Sequence, residues 1–166
     1  MCSGKTTDGK AAADILIVPF LDLDAELEKQ SGISISSFIE QKGITAFRKL
    51  ESEILLNTHQ KLQNKYPGFL ISSDKPSAVI ATGGGCVLLP ENRKFLSQSG
   101  HTIIWLNLPF SLLLERIHNN ERPLLQNLTD TDIQQLYLER LPYYQLTATH
   151  QITSTPVAEQ IITSSQ

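Results

Sequence analysis

Short apolar runs alternate with helical patterning along almost the whole chain, and this alternation constrains the fold more than any other feature. The runs are "IVPFLDLD" (17–24), "AVIAT" (78–82), "TIIWLNL" (102–108) and a weaker one in "HQIT" (150–153). Near-continuous apolar strands bury both faces, as strands of parallel sheets do. Between and around them the periodicity becomes helical. The spacing predicts helices over 5–15, 34–42 (stopped by Gly43), 45–63, 90–100, 109–120, 132–146 and 156–164, the sixth broken or kinked near Pro142. Phe47, Leu50, Ile54 and Leu55 share one face of the 45–63 helix. Segments 64–77 and 121–131 read as loops. This order predicts an α/β fold with a buried parallel sheet, in one domain over 1–166.

Ligands on such sheets bind at the carboxyl ends of the strands. The unusual punctuation falls there: Asp22 and Asp24 after one run, Gly83, Gly84 and Gly85 after the next. The amino terminus carries a third signal. "SGKTT" supplies the second half of a phosphate-cradling loop, with Gly4, Lys5 and Thr6 in the G-K-T positions. In such a loop backbone N–H groups surround phosphate oxygens, the lysine neutralises them, and the hydroxyl holds Mg²⁺. The first glycine of the full pattern would precede Met1. Alone, "GKT" is a pattern that many chains carry by chance, and on these residues a disordered amino terminus with a helix lysine is the better reading.

Composition narrows the partners. A net charge of −3 argues against nucleic acid or an anionic membrane surface. No apolar run is long enough for a membrane span, and no secretory leader is visible. Cys2 and Cys86 form no disulfide framework and read as reduced thiols of a cytoplasmic protein, Cys86 as a small buried residue rather than a nucleophile. His59, His101, His118 and His150 show no metal-ligand spacing and read as surface residues.

Taken in order, the pieces resemble the shikimate kinase family. "CSGKTTDGK" is similar to its loop and helix start, "PFLDLD" to its Asp-x-Asp segment, and "SGISISSFIEQKGITAFRKLE" to its Phe-Arg-x-x-Glu stretch. "VIATGGGCVL" is similar to its triple-glycine strand end, "ERPLL" to its lid and "ERLPYY" to its Arg-x-Pro-x-Tyr segment. The resemblance implies a three-layer, P-loop NTPase-like parallel sheet with flanking helices. It implies a monomer that transfers the γ-phosphoryl of ATP to the 3-hydroxyl of shikimate, with Mg²⁺.

Residue by residue, the resemblance implies that Ser3, Gly4, Lys5, Thr6 and Thr7 hold the phosphates, with Lys5 on the β/γ-phosphates. Thr6 would ligate Mg²⁺ and Asp22 would hold it through water. Asp24 would orient the attacking hydroxyl or act as its base; two acids capping a turn is the competing reading of the pair. Arg48 and Arg140 would grip the carboxylate, guanidinium forks being suited to that plane. Each could instead pair with a glutamate on the helix surface, such as Glu51 or Glu139. Gly83, Gly84 and Gly85 would let backbone approach the substrate ring. Arg116 would lie near the nucleotide. Arg122, in a mobile lid around 119–130, would close over the phosphates, and segment 152–160 falls at the adenine-contacting loop.

The chain departs from the family pattern at Ile17 and Ile44, and its 64–77 loop is long. A strand that the resemblance places in the middle of the sheet, just before the loop, is expected to be missing, either through a misplaced start or a real truncation. Two rival readings follow: a P-loop kinase for another small polyol, and an impaired chain that only binds nucleotide.

Overall fold

The computed structural model describes residues 2–65, 76–119, 125, 128–154 and 156–164. Among the described residues four strands alternate with helices, as the apolar runs require. The order is α1 (Lys5–Leu16), β1 (Phe20–Asp22), α2 (Leu23–Ser31), α3 (Ile35–Lys65), β2 (Val79–Ala81), a 3₁₀ turn (Cys86–Leu88) and α4 (Pro90–Gln98). Then come β3 (Ile104–Leu106), α5 (Phe110–His118), α6 (Asp130–Thr147), β4 (His150–Ile152) and α7 (Val157–Ser164).

The strands pair in two parallel couples. β1 lies beside β2, with Leu21 opposite Ile80, and β3 lies beside β4, with Trp105 opposite Gln151. Among the described residues β2 and β3 do not pair with each other. A cavity of about 370 Å³ separates them, lined by the consecutive residues Ala78–Thr82 on one side and Thr102–Ile104 on the other. Consecutive residues of a strand line a cavity when its edge, not one face, is turned towards it.

Each couple carries its own apolar cluster. Leu23, Leu27, Phe38, Phe47, Ile54 and Leu96 close one, between α2, α3 and α4. Ala12, Leu106, Leu113, Ile152, Val157 and Ile161 close the other, where α7 packs against α1 and the β3–β4 pair. Gly9 has its place in this packing. A Cβ there would stand 3.1 Å from the Phe20 ring, so the glycine admits β1 against α1.

Several expected boundaries move. The run 17–24 is a strand only over Phe20–Asp22, and a helix that the periodicity did not predict, α2, begins at once. The cause is local: the Asp22 carboxylate accepts hydrogen bonds from the Asp24 and Ala25 N–H groups and caps the new helix. Asp24 therefore stands in a first helical turn, not at a strand end. Gly43 (φ 81°, ψ 162°) interrupts α3 where a stop is expected. α6 is not broken at Pro142 but continues to Thr147.

His59 and His101 are not surface residues. Both are half-buried, and Nδ1 of the first lies 2.7 Å from Nε2 of the second. The Cys86 thiol is buried, and that burial pushes its pKa up to about 12, which suits a packing residue.

Candidate active site

The phosphate loop sits at the amino end of α1. Gly4 takes a left-handed conformation (φ 94°), and its carbonyl accepts the Asp8 N–H at 2.8 Å, so the helix starts directly from the loop. Ser3 is buried beneath it. A side chain at Gly4 would collide with the Asp8 carboxylate and would come 3.3 Å from Arg116 Nη1. Arg116 also donates to the Cys2 carbonyl at 3.4 Å, which places it at the loop. Burial pushes the Asp8 carboxyl up, and the Arg116 charge opposes this. Lys5 is half-buried and faces the cavity between β2 and β3, while Thr7 is exposed.

Asp22 brings a second element to the loop. Thr6 Oγ1 donates to Asp22 Oδ2 at 2.7 Å, across sixteen residues of sequence. The other oxygen of the same carboxylate caps α2. One side chain thus fixes the loop hydroxyl and the start of the helix that carries Asp24. The competing reading of the acid pair is met only in part: Asp22 does cap a helix, and it also reaches the loop.

The second half of the site is built around the triple glycine. Gly83 and Gly85 are buried. A side chain at Gly83 would collide with Glu51 Oε1 and stand 2.9 Å from Asp24 Oδ1. A side chain at Gly85 would occupy the space taken by the Arg48 guanidinium. The glycines here make room for a charged floor that larger residues would displace.

Arg48 Nη1 lies 2.7 Å from Glu51 Oε2, one turn along α3. This is the pairing that competes with the substrate role, but it is not a surface pair, because Glu51 is only 2% exposed. Its other oxygen, Oε1, has no hydrogen-bond partner. Burial raises the Glu51 pKa, the Arg48 charge and hydrogen bond lower it, and the Asp24 charge raises it again.

Arg140 reaches the same place from α6. Its charge acts on Glu51, and its Nε is buried without a partner. Tyr144, one turn further on, donates to the Gly84 carbonyl at 2.5 Å. Behind the turn, Asn92 donates to the Cys86 carbonyl at 2.9 Å and accepts from the Ser52 hydroxyl at 2.5 Å.

Asp24, Arg48, Arg140 and the three glycines are therefore brought together, with Thr6 and Asp22 at the adjoining loop. Glu51, Tyr144 and Asn92 belong to the same assembly and were not predicted in it. The Arg-x-x-Glu and Arg-x-x-x-Tyr spacings, each about one helical turn, were the available signals. Arg122, Pro123 and most of the lid segment lie outside the described residues.

The comparisons agree with this geometry. The sequence model of the family described as shikimate kinase matches residues 1–165. The shikimate kinase of Aquifex aeolicus is 38% identical over 145 residues, covering 87% of this chain and 77% of the relative. That of Ralstonia nicotianae is 35% identical over 165 residues, covering 98% and 79%. Among solved structures, the shikimate kinase of Acinetobacter baumannii in complex with shikimate superposes with a TM-score of 0.80 at 31% identity, over 98% of this chain and 84% of that one. The Aquifex aeolicus structure gives 0.76 at 34% identity, over 99% and 90%. A half phosphate loop, an Asp-x-Asp segment and a triple glycine over half-buried arginines thus have one common source: the chain belongs to the shikimate kinase family, whose co-substrate is ATP.

Proposed function

We propose that this chain transfers the γ-phosphoryl group of ATP to the 3-hydroxyl of shikimate. One observation carries the reading. Asp22 and Asp24, two residues apart, serve two different halves of one site: Asp22 holds the loop hydroxyl of Thr6, and Asp24 stands at Gly83 beside Arg48 and Glu51. A phosphate donor and a carboxylated acceptor would meet between them.

Phosphoryl transfer asks chiefly for positioning and charge neutralisation. Lys5 and the N–H groups of residues 3–6 would receive the phosphates, with the positive end of α1 behind them. Arg116, at the loop, would add a cation on the nucleotide side, and Thr7 would complete the phosphate contacts. Arg48 and Arg140 would hold the substrate carboxylate. Asp24 would accept the hydrogen bond of the attacking hydroxyl. Arg122 would cover the phosphates from the lid, where closure excludes water.

The donors near the loop suit Mg²⁺. They are oxygens only, a hydroxyl beside a carboxylate, and an ion that keeps several waters needs few protein ligands. Thr6 would bind it directly and Asp22 through water. When bound, the ion would supply positive charge that offsets the charge of the phosphate oxygens.

The chain is read as a monomer of the cytoplasm, not engaged with nucleic acid or membrane. The net charge of −3 and two free cysteines support this, and no helix among the described residues is long and apolar enough to cross a membrane. A second reading, a nucleotide binder with impaired turnover, is favoured by the open edges of β2 and β3, which leave Lys5 beside a cavity.

A coupled ADP-release assay with Mg²⁺-ATP separates them. Shikimate-dependent ADP release is the expected result. ADP release that ignores shikimate but responds to another polyol overturns the substrate. Nucleotide binding without release in any case supports the second reading.

A further inference from the structure

Tyr144 is half-buried and carries more connections than a packing residue needs. Its hydroxyl donates to the Gly84 carbonyl, the middle of the triple glycine. Its ring stacks on Trp105 of β3, with centroids 5.8 Å apart and planes inclined by 27°. Arg140 precedes it by four residues on α6, so the two side chains are neighbours on one helix face. The charges of Arg140 and Arg48 both bear on the Tyr144 hydroxyl.

A phenolic hydroxyl has one proton and two lone pairs. Its proton is given to Gly84, so only lone pairs remain for the guanidinium. The hydroxyl thus holds the glycine carbonyl with its proton and turns its lone pairs to the Arg140 charge one helical turn away. Arg140 needs such a support, since its Nε has no partner of its own.

We propose that Tyr144 is a positioning residue that locks Arg140 and the glycine turn into one unit, so that selection of a carboxylated substrate depends on its hydroxyl. The inference rests on the proposed shikimate site. It makes Tyr144 a specificity determinant that touches no reacting atom. β3 enters the same unit through Trp105, which fixes the tyrosine ring against the sheet.

Trp105 is the only tryptophan of the chain, so its fluorescence reports on this unit directly. The test titrates the full chain with shikimate, with shikimate methyl ester and with ADP, following that signal. Four proteins are compared: the parent, Tyr144→Phe, Arg140→Lys and the double variant. Phe keeps the ring and its stacking.

The parent is expected to bind shikimate more tightly than its ester. In Tyr144→Phe, shikimate affinity should fall about tenfold, the ester should change far less, and ADP affinity should be unchanged. The double variant should bind shikimate no worse than Arg140→Lys within about threefold, because both act through one unit.

Equal losses for acid and ester, or fully additive effects in the double variant, would show a merely structural tyrosine and overturn the inference. Unchanged shikimate binding in Tyr144→Phe would do the same. A parent that binds ADP but not shikimate overturns the proposed substrate, and the inference with it.

Discussion

The Arg48 guanidinium fills the volume in which a side chain on Gly85 would have to stand. The two residues are 37 positions apart, and neither can change without the other. Gly85→Ala would push the guanidinium off its seat and away from Glu51. A displaced bidentate contact to a carboxylate removes about 1.5–3 kcal/mol. We therefore expect shikimate KM to rise on the order of 10- to 100-fold, with ATP KM little altered. Steady-state kinetics with each substrate varied separately checks this. Equal rises in both constants would mean that the glycine shapes the fold, not the substrate side.

This relationship shows where the sequence was legible and where it was not. Taken alone, the two arginines fitted surface pairs and the two acids a capped turn. Arg48 and Gly85 were each marked by the family resemblance, as were Lys5, Asp22, Asp24 and Arg140. Their mutual contacts were not, because contacts between α3, α6 and the glycine turn depend on how the elements pack. Glu51 illustrates the limit. Its spacing from Arg48 fitted a solvent-exposed helix pair, and only burial turns it into part of the floor. α2 was missed for another reason. Asp22 ends an apolar run and caps a helix at once, and the periodicity of "FLDLD" cannot separate those two states. The β-strands were found because fully apolar runs are rare in surface segments, but their lengths depend on pairing partners, which the sequence does not state.

The histidine pair gives a pH dependence that the surface reading would not. Burial lowers the pKa of both His59 and His101, and for His101 the neighbouring His59 lowers it further. A folded-state pKa below the unfolded value of 6.5 favours the neutral rings. The stability they contribute is present above pH 6.5 and is lost as pH falls through the lower folded values. Chemical denaturation between pH 7.5 and 5 should show stability falling on the acid side. His59→Phe should flatten that slope, since it removes one buried titration and leaves the ring contact with Phe95. The same slope in the variant would show that other groups carry it.

Ile17 is held against its preference. It caps α1 in a left-handed conformation (φ 59°, ψ 47°) and is 90% exposed. A β-branched residue there costs about 1–2 kcal/mol relative to one without a Cβ. Its exposure means that almost no burial is lost when the side chain is removed. Its N–H bonds to the Ala13 and Asp14 carbonyls are made by the backbone and survive substitution. Ile17→Gly should therefore stabilise the protein by about 1 kcal/mol, after allowing for the freer unfolded chain. The urea midpoint should rise with an unchanged m-value. An unchanged or lower midpoint would show that the left-handed cap is not strained.

The cavity between β2 and β3 is a feature that the proposed reaction does not use. Both strands turn an edge towards it, and among the described residues neither edge is paired across it. Their amino-terminal flanks, Pro76 and Ser77 on one side and Gly100 and His101 on the other, line the same end. Thr82, Gly83 and Leu106 line a further cavity together with Ser3 and Lys5. Lys5 lines both cavities, so the two edges border the phosphate loop. An extended, uncharged, apolar segment of about five residues would pair with both edges at once. Joined through a short turn ahead of Cys2, it would also anchor the loop that holds Lys5. Such a fusion should raise the thermal midpoint by several degrees, since a gain of about 1 kcal/mol moves a domain of this size by about 2–4 °C. It should raise shikimate-dependent ADP release as well. A matched fusion with prolines at alternate positions cannot pair and should give neither effect. Equal behaviour of the two fusions would mean that the edges do not accept a strand.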